Sequence, residues 1–307
     1  MKIVKLLIIG LIFIYNQVFS QLSNDAEKNN CYMLKGLYFG QKTPGLVPVI
    51  FAPGIISKEG RNESYATYSP NGDAFYFEAN DTIYYMEFKD SIWTNPKVAD
   101  FVGHHGKGNY LKISPNGKIF NFNYQGDIYI CKRENNKWNL AEKLPSQINS
   151  EKFECGASIA NDQSIYYASH RDGTKGACDI FYSQYKKGQY QPPINIDNFN
   201  TSSSECGVYI SPDNDFIIFT GFNRADGWGS TDMYISFPLK DGSWSNPQNM
   251  GSGLNTMDAE WPLAFTPDRK YFLFGRNIKI GDKNNQDIYW VDSKVIFNII
   301  DKRNNSN

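Results

Sequence analysis

Four glutamates, Glu63, Glu154, Glu205 and Glu260, stand at matching points of a recurring pattern, with Gly108 in the remaining slot. Carboxylates that converge in this way can hold a divalent cation or act as an acid–base pair in sugar hydrolysis. Three arginines recur on the same scale: Arg171, Arg224 and Arg276. Partly buried charges that converge must be paired to be tolerated. The four carboxylates are therefore expected to be structural and to line the mouth of a central channel, each facing an arginine of a neighbouring unit. Catalysis would instead need one of them unpaired, in an open pocket and with a raised pKa. No catalytic residue is assigned. A glycoside hydrolase or polysaccharide lyase using two of the four is the competing expectation.

The remaining reactive residues carry less. His104 and His105 are adjacent, and neighbouring side chains do not normally point together. No H-x-x-x-H or H-x-E spacing supports a metal, so both are read as loop residues. The five cysteines, Cys31, Cys131, Cys155, Cys178 and Cys206, include no C-x-x-C pair. Cys155 and Cys206 sit in matching Glu-Cys-Gly triplets, which suits either a disulfide or two small buried residues at one repeat position, and the second is preferred. The G-x-S-x-G elbow, the P-loop, the Rossmann glycines and H-E-x-x-H are all absent from the sequence. No metal and no cofactor is expected.

The chain has 307 residues, with 31 basic against 32 acidic side chains and 15% aromatics. Broad binding of nucleic acid needs a concentrated basic face, which this near-neutral balance does not suggest. Residues 1–20 read as a signal peptide. Lys2 and Lys5 precede the apolar run Leu6 to Tyr15, and Val18-Phe19-Ser20 offers a cleavage site before Gln21. The run is too short for a comfortable membrane span, so an integral membrane protein is not expected. Export is the address it implies, to the periplasm, the medium or the outer-membrane surface. Cleavage would leave 29 basic against 32 acidic residues.

The elements that position these residues come from a repeat. Ser69-Pro70-Asn71, Ser114-Pro115-Asn116, Ala160-Asn161-Asp162, Ser211-Pro212-Asp213 and Thr266-Pro267-Asp268 recur at steps of 45, 46, 51 and 55 residues. Each lies between two β-rich runs, the second aromatic, as in Phe75-Tyr76-Phe77 and Phe272-Leu273-Phe274. Pro presets φ and Asn or Asp tolerates a tight bend, which is hairpin chemistry. A third run follows, as in Asp127-Ile128-Tyr129 and Asp287-Ile288-Tyr289. A fourth carries an aromatic with Pro three residues on, as in Trp93 with Pro96 and Trp244 with Pro247. Four short strands in each unit of about 45 residues predict an all-β, single five-bladed β-propeller of four-stranded antiparallel blades.

The fifth unit lacks its fourth run. Pro48 and Ile55-Ile56-Ser57 match the spacing of Pro247 with Leu254-Asn255-Thr256, so residues 45–57 are expected to supply that strand and close the ring. The chain divides into a signal peptide (1–20), an N-terminal extension (21–44), the propeller (45–300) and a polar tail (301–307).

The Pro-Asn/Asp turns, Asp-Ile-Tyr strands and Trp-x-x-Pro strands resemble the WD40-like repeats of TolB-type bacterial propellers. Tyr38-Phe39-Gly40-Gln41-Lys42 through Phe51-Ala52-Pro53-Gly54-Ile55 is similar to the start of exported propellers from Bacteroidetes-type bacteria. The likeness covers about residues 36–296. It implies an exported propeller of the cell envelope that acts through its surface, most such proteins having no assigned reaction.

Counting from the second to the third run of each unit gives separations of 6, 6, 13, 14 and 14 residues, so units 3–5 are expected to carry long loops on one face. Insertions on one face of a repeat array commonly mark the binding side. The candidate binding residues there are His170, Arg171, Asp172, Phe222, Asn223, Arg224, Asp226, Trp228, Arg276 and Asn277, with Lys279 nearby. Phe222 and Trp228 either stack on a sugar or a protein partner, or fold down over the blade tips. The function expected is a monomeric binding or scaffolding module for an envelope protein or glycan.

Overall fold

The computed structural model describes residues 34–280 and 283–304. Residues 1–20, read above as a signal peptide, and Cys31 lie outside them. The described chain is built from strands in five units of the same plan, with two short 3-10 turns (Asp100–Val102 and His104–Gly106) and one α-helix at the end, α1 (Lys294–Asn304). No helix among the described residues is long and apolar enough to cross a membrane.

Each unit is an antiparallel meander of inner, second, third and outer strands. Unit 1 runs Glu63–Tyr68, Ala74–Ala79, Thr82–Lys89 and Lys97–Val98. Unit 2 runs Asn109–Ile113, Ile119–Tyr124, Asp127–Glu134 and Glu142–Lys143. Unit 3 runs Glu154–Ile159, Ile165–Ser169, Asp179–Ser183 and Ile194–Asn195. Unit 4 runs Ser204–Ile210, Ile217–Phe222, Thr231–Ser236 and Gln248–Asn249. Unit 5 has three consecutive strands, Ala259–Phe265, Tyr271–Ile280 and Lys283–Asp292. Its outer position is taken by Val49–Ile50, which pairs antiparallel with the third strand as Val49↔Trp290 and Ile50↔Tyr289.

Local chemistry accounts for the hairpins. The hydroxyls of Ser69, Ser114, Ser211 and Thr266 accept the backbone N–H of Ala74, Ile119, Phe216 and Tyr271, each five residues on. In unit 3 Ala160 has no hydroxyl, and Asp162 Oδ1 accepts the N–H of Ser164 instead. Pro96 interrupts the fourth run of unit 1, because it cannot donate to a ladder. Trp93 pairs with Phe88, and after the proline the chain re-pairs further back, Val98 against Tyr84.

Alternation along the second strands sends successive side chains to opposite neighbours. Phe75 and Phe77 enter an apolar layer shared with unit 5, while Ala74 and Tyr76 enter the one shared with unit 2. Similar layers join units 2 and 3, 3 and 4, and 4 and 5. The layer between units 5 and 1 also takes Phe39, Phe51, Ala52, Ile55 and Ile56, all buried.

Segments of the N-terminal extension and the C-terminal end pack on the units. Tyr38 packs on Tyr271 and Trp290 of unit 5, and Phe39 stacks on Trp93 of unit 1. Residues 301–304 are the last residues of α1, which buried Ile296 and the stacking of Phe297 on Phe265 anchor to unit 5.

Candidate functional site

The inner-strand glutamates are all fully buried. Glu154, Glu205 and Glu260 share one arrangement. A Ser or Thr four residues earlier donates its backbone N–H to one carboxylate oxygen and its hydroxyl to the other: Ser150 to Glu154, Thr201 to Glu205 and Thr256 to Glu260. An arginine closes each set, with N···O distances of 3.5 Å for Arg171–Glu154, 3.3 Å for Arg224–Glu205 and 2.8 Å for Arg276–Glu260.

These pairs lie within a unit, which corrects the expected pairing between neighbouring blades. The arginine lies at or just past the far end of the second strand: Arg276 is directly across the ladder from Glu260, while Arg171 and Arg224 follow Ser169 and Gly221, the ladder partners of Glu154 and Glu205, by two and three residues. Arg171, Arg224 and Arg276 reach the preceding unit through a backbone carbonyl instead, donating to Ile148, Phe199 and Leu254 respectively. Each guanidinium also lies over aromatic rings, such as Arg224 over Tyr234 at 4.4 Å and Arg276 over Tyr289 at 4.8 Å.

Unit 1 reaches the same arrangement from a different residue. Arg61, two positions before Glu63, pairs with it, donates to Ile56 O at 2.6 Å and lies over Phe77. Burial raises the Glu63 carboxyl to about 7, opposed by the Arg61 hydrogen bond and charge. The folded state thus holds this proton more firmly than the unfolded chain. The stability it contributes is full below the ordinary carboxyl pKa and is lost as pH rises through about 7. Glu63→Gln is expected to flatten the pH dependence of the denaturation midpoint between pH 4.5 and 7. A slope identical to that of the wild type would contradict the assignment.

The signal for this arrangement was present in the sequence. Asn149-Ser150, Asn200-Thr201 and Asn255-Thr256 each precede a glutamate at fixed spacing. The asparagines clamp the third strand of the preceding unit, as where Asn255 accepts from Met233 N and donates to Met233 O. The Glu-Cys-Gly triplets also resolve into separate jobs. Glu anchors, Cys packs, and Gly156 and Gly207 take φ of 63° and 56° at a bulge of the inner strand. A Cβ on Gly156 would lie 2.8 Å from Gly207 N.

The loop face is uneven in a way the spacing did not show. Units 3 and 4 carry long loops, 170–178 and 223–230, as expected. Unit 5 does not: its second and third strands stay paired out to Ile280↔Lys283, so the 14-residue separation is a protruding hairpin. Arg276 and Asn277 are accordingly strand residues. His170, Asp172, Asn223 and Asp226 are exposed, and Phe222 is half-buried. Arg171 and Arg224 are committed to their glutamates.

Trp228 is 57% exposed and Met257, in the adjoining loop, is 88% exposed. The two loops touch at Gly229, where a Cβ would come within 2.4–2.9 Å of Asp258 O, Thr256 O and Met257 C. The Trp228 loop is held from beneath by Asp232, whose Oδ2 accepts the Trp228 N–H at 2.6 Å. Trp228 is therefore presented outward by a tethered loop rather than folded over the blade tip.

A cavity of about 420 Å³ is lined by Phe153, His170, Phe222 and Asn223 together with Cys155, Cys178, Cys206 and Tyr110, so it meets the Trp228 loop at its first residue, Asn223. His170 packs edge-on against Phe153 at 5.3 Å. Cys131, Cys155, Cys178 and Cys206 are all free, buried thiols. The mutual hydrogen bonds of Cys155 with Cys178 and Cys206, together with burial, hold the Cys155 thiol well above its ordinary pKa. His104 lies elsewhere, stacked on Tyr124 at 4.0 Å. No group of three or more His, Cys, Asp or Glu among the described residues is placed to hold a metal ion.

Comparisons with known proteins give fold-level likeness of low identity. No family model and no curated relative matches the chain. Among solved structures, the chain is similar to a putative TolB from Agrobacterium tumefaciens at 14% identity and a TM-score of 0.40, over 76% of this chain and 91% of that one. It is also similar to an endo-arabinase from Bacteroides thetaiotaomicron at 13% identity and a TM-score of 0.45, over 80% and 96% of the two chains. An alpha-L-arabinofuranosidase from Lactobacillus brevis stands at 12% and 0.45, over 74% and 89%.

Proposed function

We propose that this chain is an exported five-bladed β-propeller, closed by the 45–57 segment, that captures a partner of the cell envelope on its loop face. The observation that carries this reading is the Trp228–Met257 ridge. Two large apolar side chains stand exposed on loops that touch at Gly229, and the Trp228 loop starts at Asn223 in the lining of the cavity that also holds Phe153 and Phe222. Exposed aromatics set on a rigid frame act as binding anchors. A polarisable thioether exposed on the loop that touches the indole's loop suits apolar side chains better than sugar rings, so the favoured partner is an envelope protein, with a glycan as the alternative. The inner-strand carboxylates do not favour hydrolysis, since each is tied to an arginine.

Binding of the chain without residues 1–20 to purified envelope proteins and to an envelope glycan array tests this reading, with Trp228→Ala alongside. An anchor contributing about 2 kcal/mol corresponds to roughly 30-fold in affinity. Trp228→Ala is expected to weaken capture by that order while moving the melting temperature by less than about 2 °C. A fall of more than about 4 °C would make Trp228 a packing residue. Turnover of a glycan with Trp228 irrelevant would transfer the function to hydrolysis.

A further inference from the structure

At the end of the axis away from the loop face, the inner strands converge on a second cavity of about 230 Å³. Thr67, Lys112, Ser158, Tyr209 and Ala264 line it in register, one from each unit and each two residues before its turn triplet. Four are neutral and one is a cation. Lys112 is 7% exposed, and its amine donates to Leu263 O at 2.9 Å and Pro262 O at 3.4 Å, across the axis in unit 5.

The charge of Lys112 has no counter-charge. No carboxylate is among the lining residues, and the other ionisable cation of the lining is Arg269, in the turn of unit 5. Among the described residues neither makes an ion pair with a carboxylate. The Arg269 guanidinium lies instead over Phe265 and Phe297, at 5.9 and 5.6 Å. Two carbonyls satisfy donors of the Lys112 amine without neutralising it, and a buried cation left so is costly. Burial pushes its pKa down to about 7.

We propose that this axial cavity is a binding site for a small oxyanion, a phosphate or a short carboxylate, held by the ammonium of Lys112 with Arg269 at the rim. Charge-assisted hydrogen bonds from an ammonium in walls of this kind favour such a group. The volume lies below the ~300–1,000 Å³ typical of pockets for drug-sized ligands, which excludes a nucleotide. The site stands at the opposite end of the axis from the loop face and does not depend on the function proposed above.

Calorimetric titration of the full chain with inorganic phosphate and with acetate, at ionic strength matched with chloride, tests the site. One saturable equivalent of either anion is expected, weakened at least tenfold in Lys112→Met, and the arm that saturates identifies the anion class. In the unsubstituted protein, the binding anion should also slow modification of Lys112 by trinitrobenzenesulfonate at least threefold, read by peptide mass spectrometry. That second readout stands even if Lys112→Met folds poorly. No saturable binding, an unchanged affinity in Lys112→Met, or an unprotected Lys112 would overturn the proposal and leave the lysine as a cap on the Pro262 and Leu263 carbonyls.

Discussion

Deletion of residues 45–57 is expected to abolish the folded monomer. The segment supplies the only partner on the outer edge of the third strand of unit 5 among the described residues, through Val49 and Ile50. It also places Phe51, Ala52, Ile55 and Ile56 in the apolar layer between units 5 and 1. Phe51 is fully buried and contacts the rings of Phe39, Tyr68, Phe75 and Trp290. Truncating one such phenylalanine costs about 3–5 kcal/mol, against a total stability of about 5–15 kcal/mol for a typical domain. Losing the whole segment therefore exceeds what a domain can spare, and it bares a strand edge open to intermolecular pairing. Circular dichroism and size-exclusion chromatography should report loss of the cooperative transition or conversion to oligomers. A monomer that melts within a few degrees of the intact chain would show that units 5 and 1 are joined by other contacts. Phe51→Ala, at about 3–5 kcal/mol, is the graded version of the same experiment.

The second large effect is expected at Glu260. Glu260→Ala removes the acceptor for Arg276 Nε and for the N–H and hydroxyl of Thr256 in one step. Arg276 is left mostly buried, still held by Leu254 O and over Phe274 and Tyr289 but without its counter-ion. Removing one partner of a buried pair costs about 3–5 kcal/mol, whereas replacing both by apolar groups of similar volume is often nearly neutral. Chemical denaturation of Glu260→Ala should show that loss, and the double variant Glu260→Leu with Arg276→Met should recover much of it. A single variant within about 1 kcal/mol of wild type would contradict an anchoring role. It would also revive the view that this carboxylate is held for chemistry rather than for the fold. The same test applies to Glu205, which has the same partners one unit earlier.

Much of this was legible in the residues because it is encoded locally. The period-two alternation of Phe75-Tyr76-Phe77 determines which ring faces which neighbour. The Ser-Pro-Asn triplets carry their own hairpin bond, and the spacing around Pro48 pointed to the pairing of Val49–Ile50 with unit 5. Other features depended on distances that spacing does not contain. A separation of 14 residues describes both the tethered loop of Trp228 and the long hairpin of Lys279, because loop and strand differ only in whether a partner lies alongside. The recurrence of Glu and Arg predicted that they meet, but not that each pair closes within its own unit. The ladder brings the two strand ends together before any neighbouring unit can.

By itself, then, the sequence determined the repeating unit, the strand count within it and the residues that fill the layers between units, since a strand must alternate its faces to bury one of them. Only the tertiary structure decided what meets across the axis. Lys112 is one cation in register with Thr67, Ser158, Tyr209 and Ala264, and nothing in its own strand marks it as buried. Its environment comes from four other units, tens to about 150 residues away in sequence, whose carbonyls and rings meet it only when the strands are gathered around one centre. A buried charge is a property of that gathering, because desolvation is a matter of what surrounds a group in space rather than along the chain.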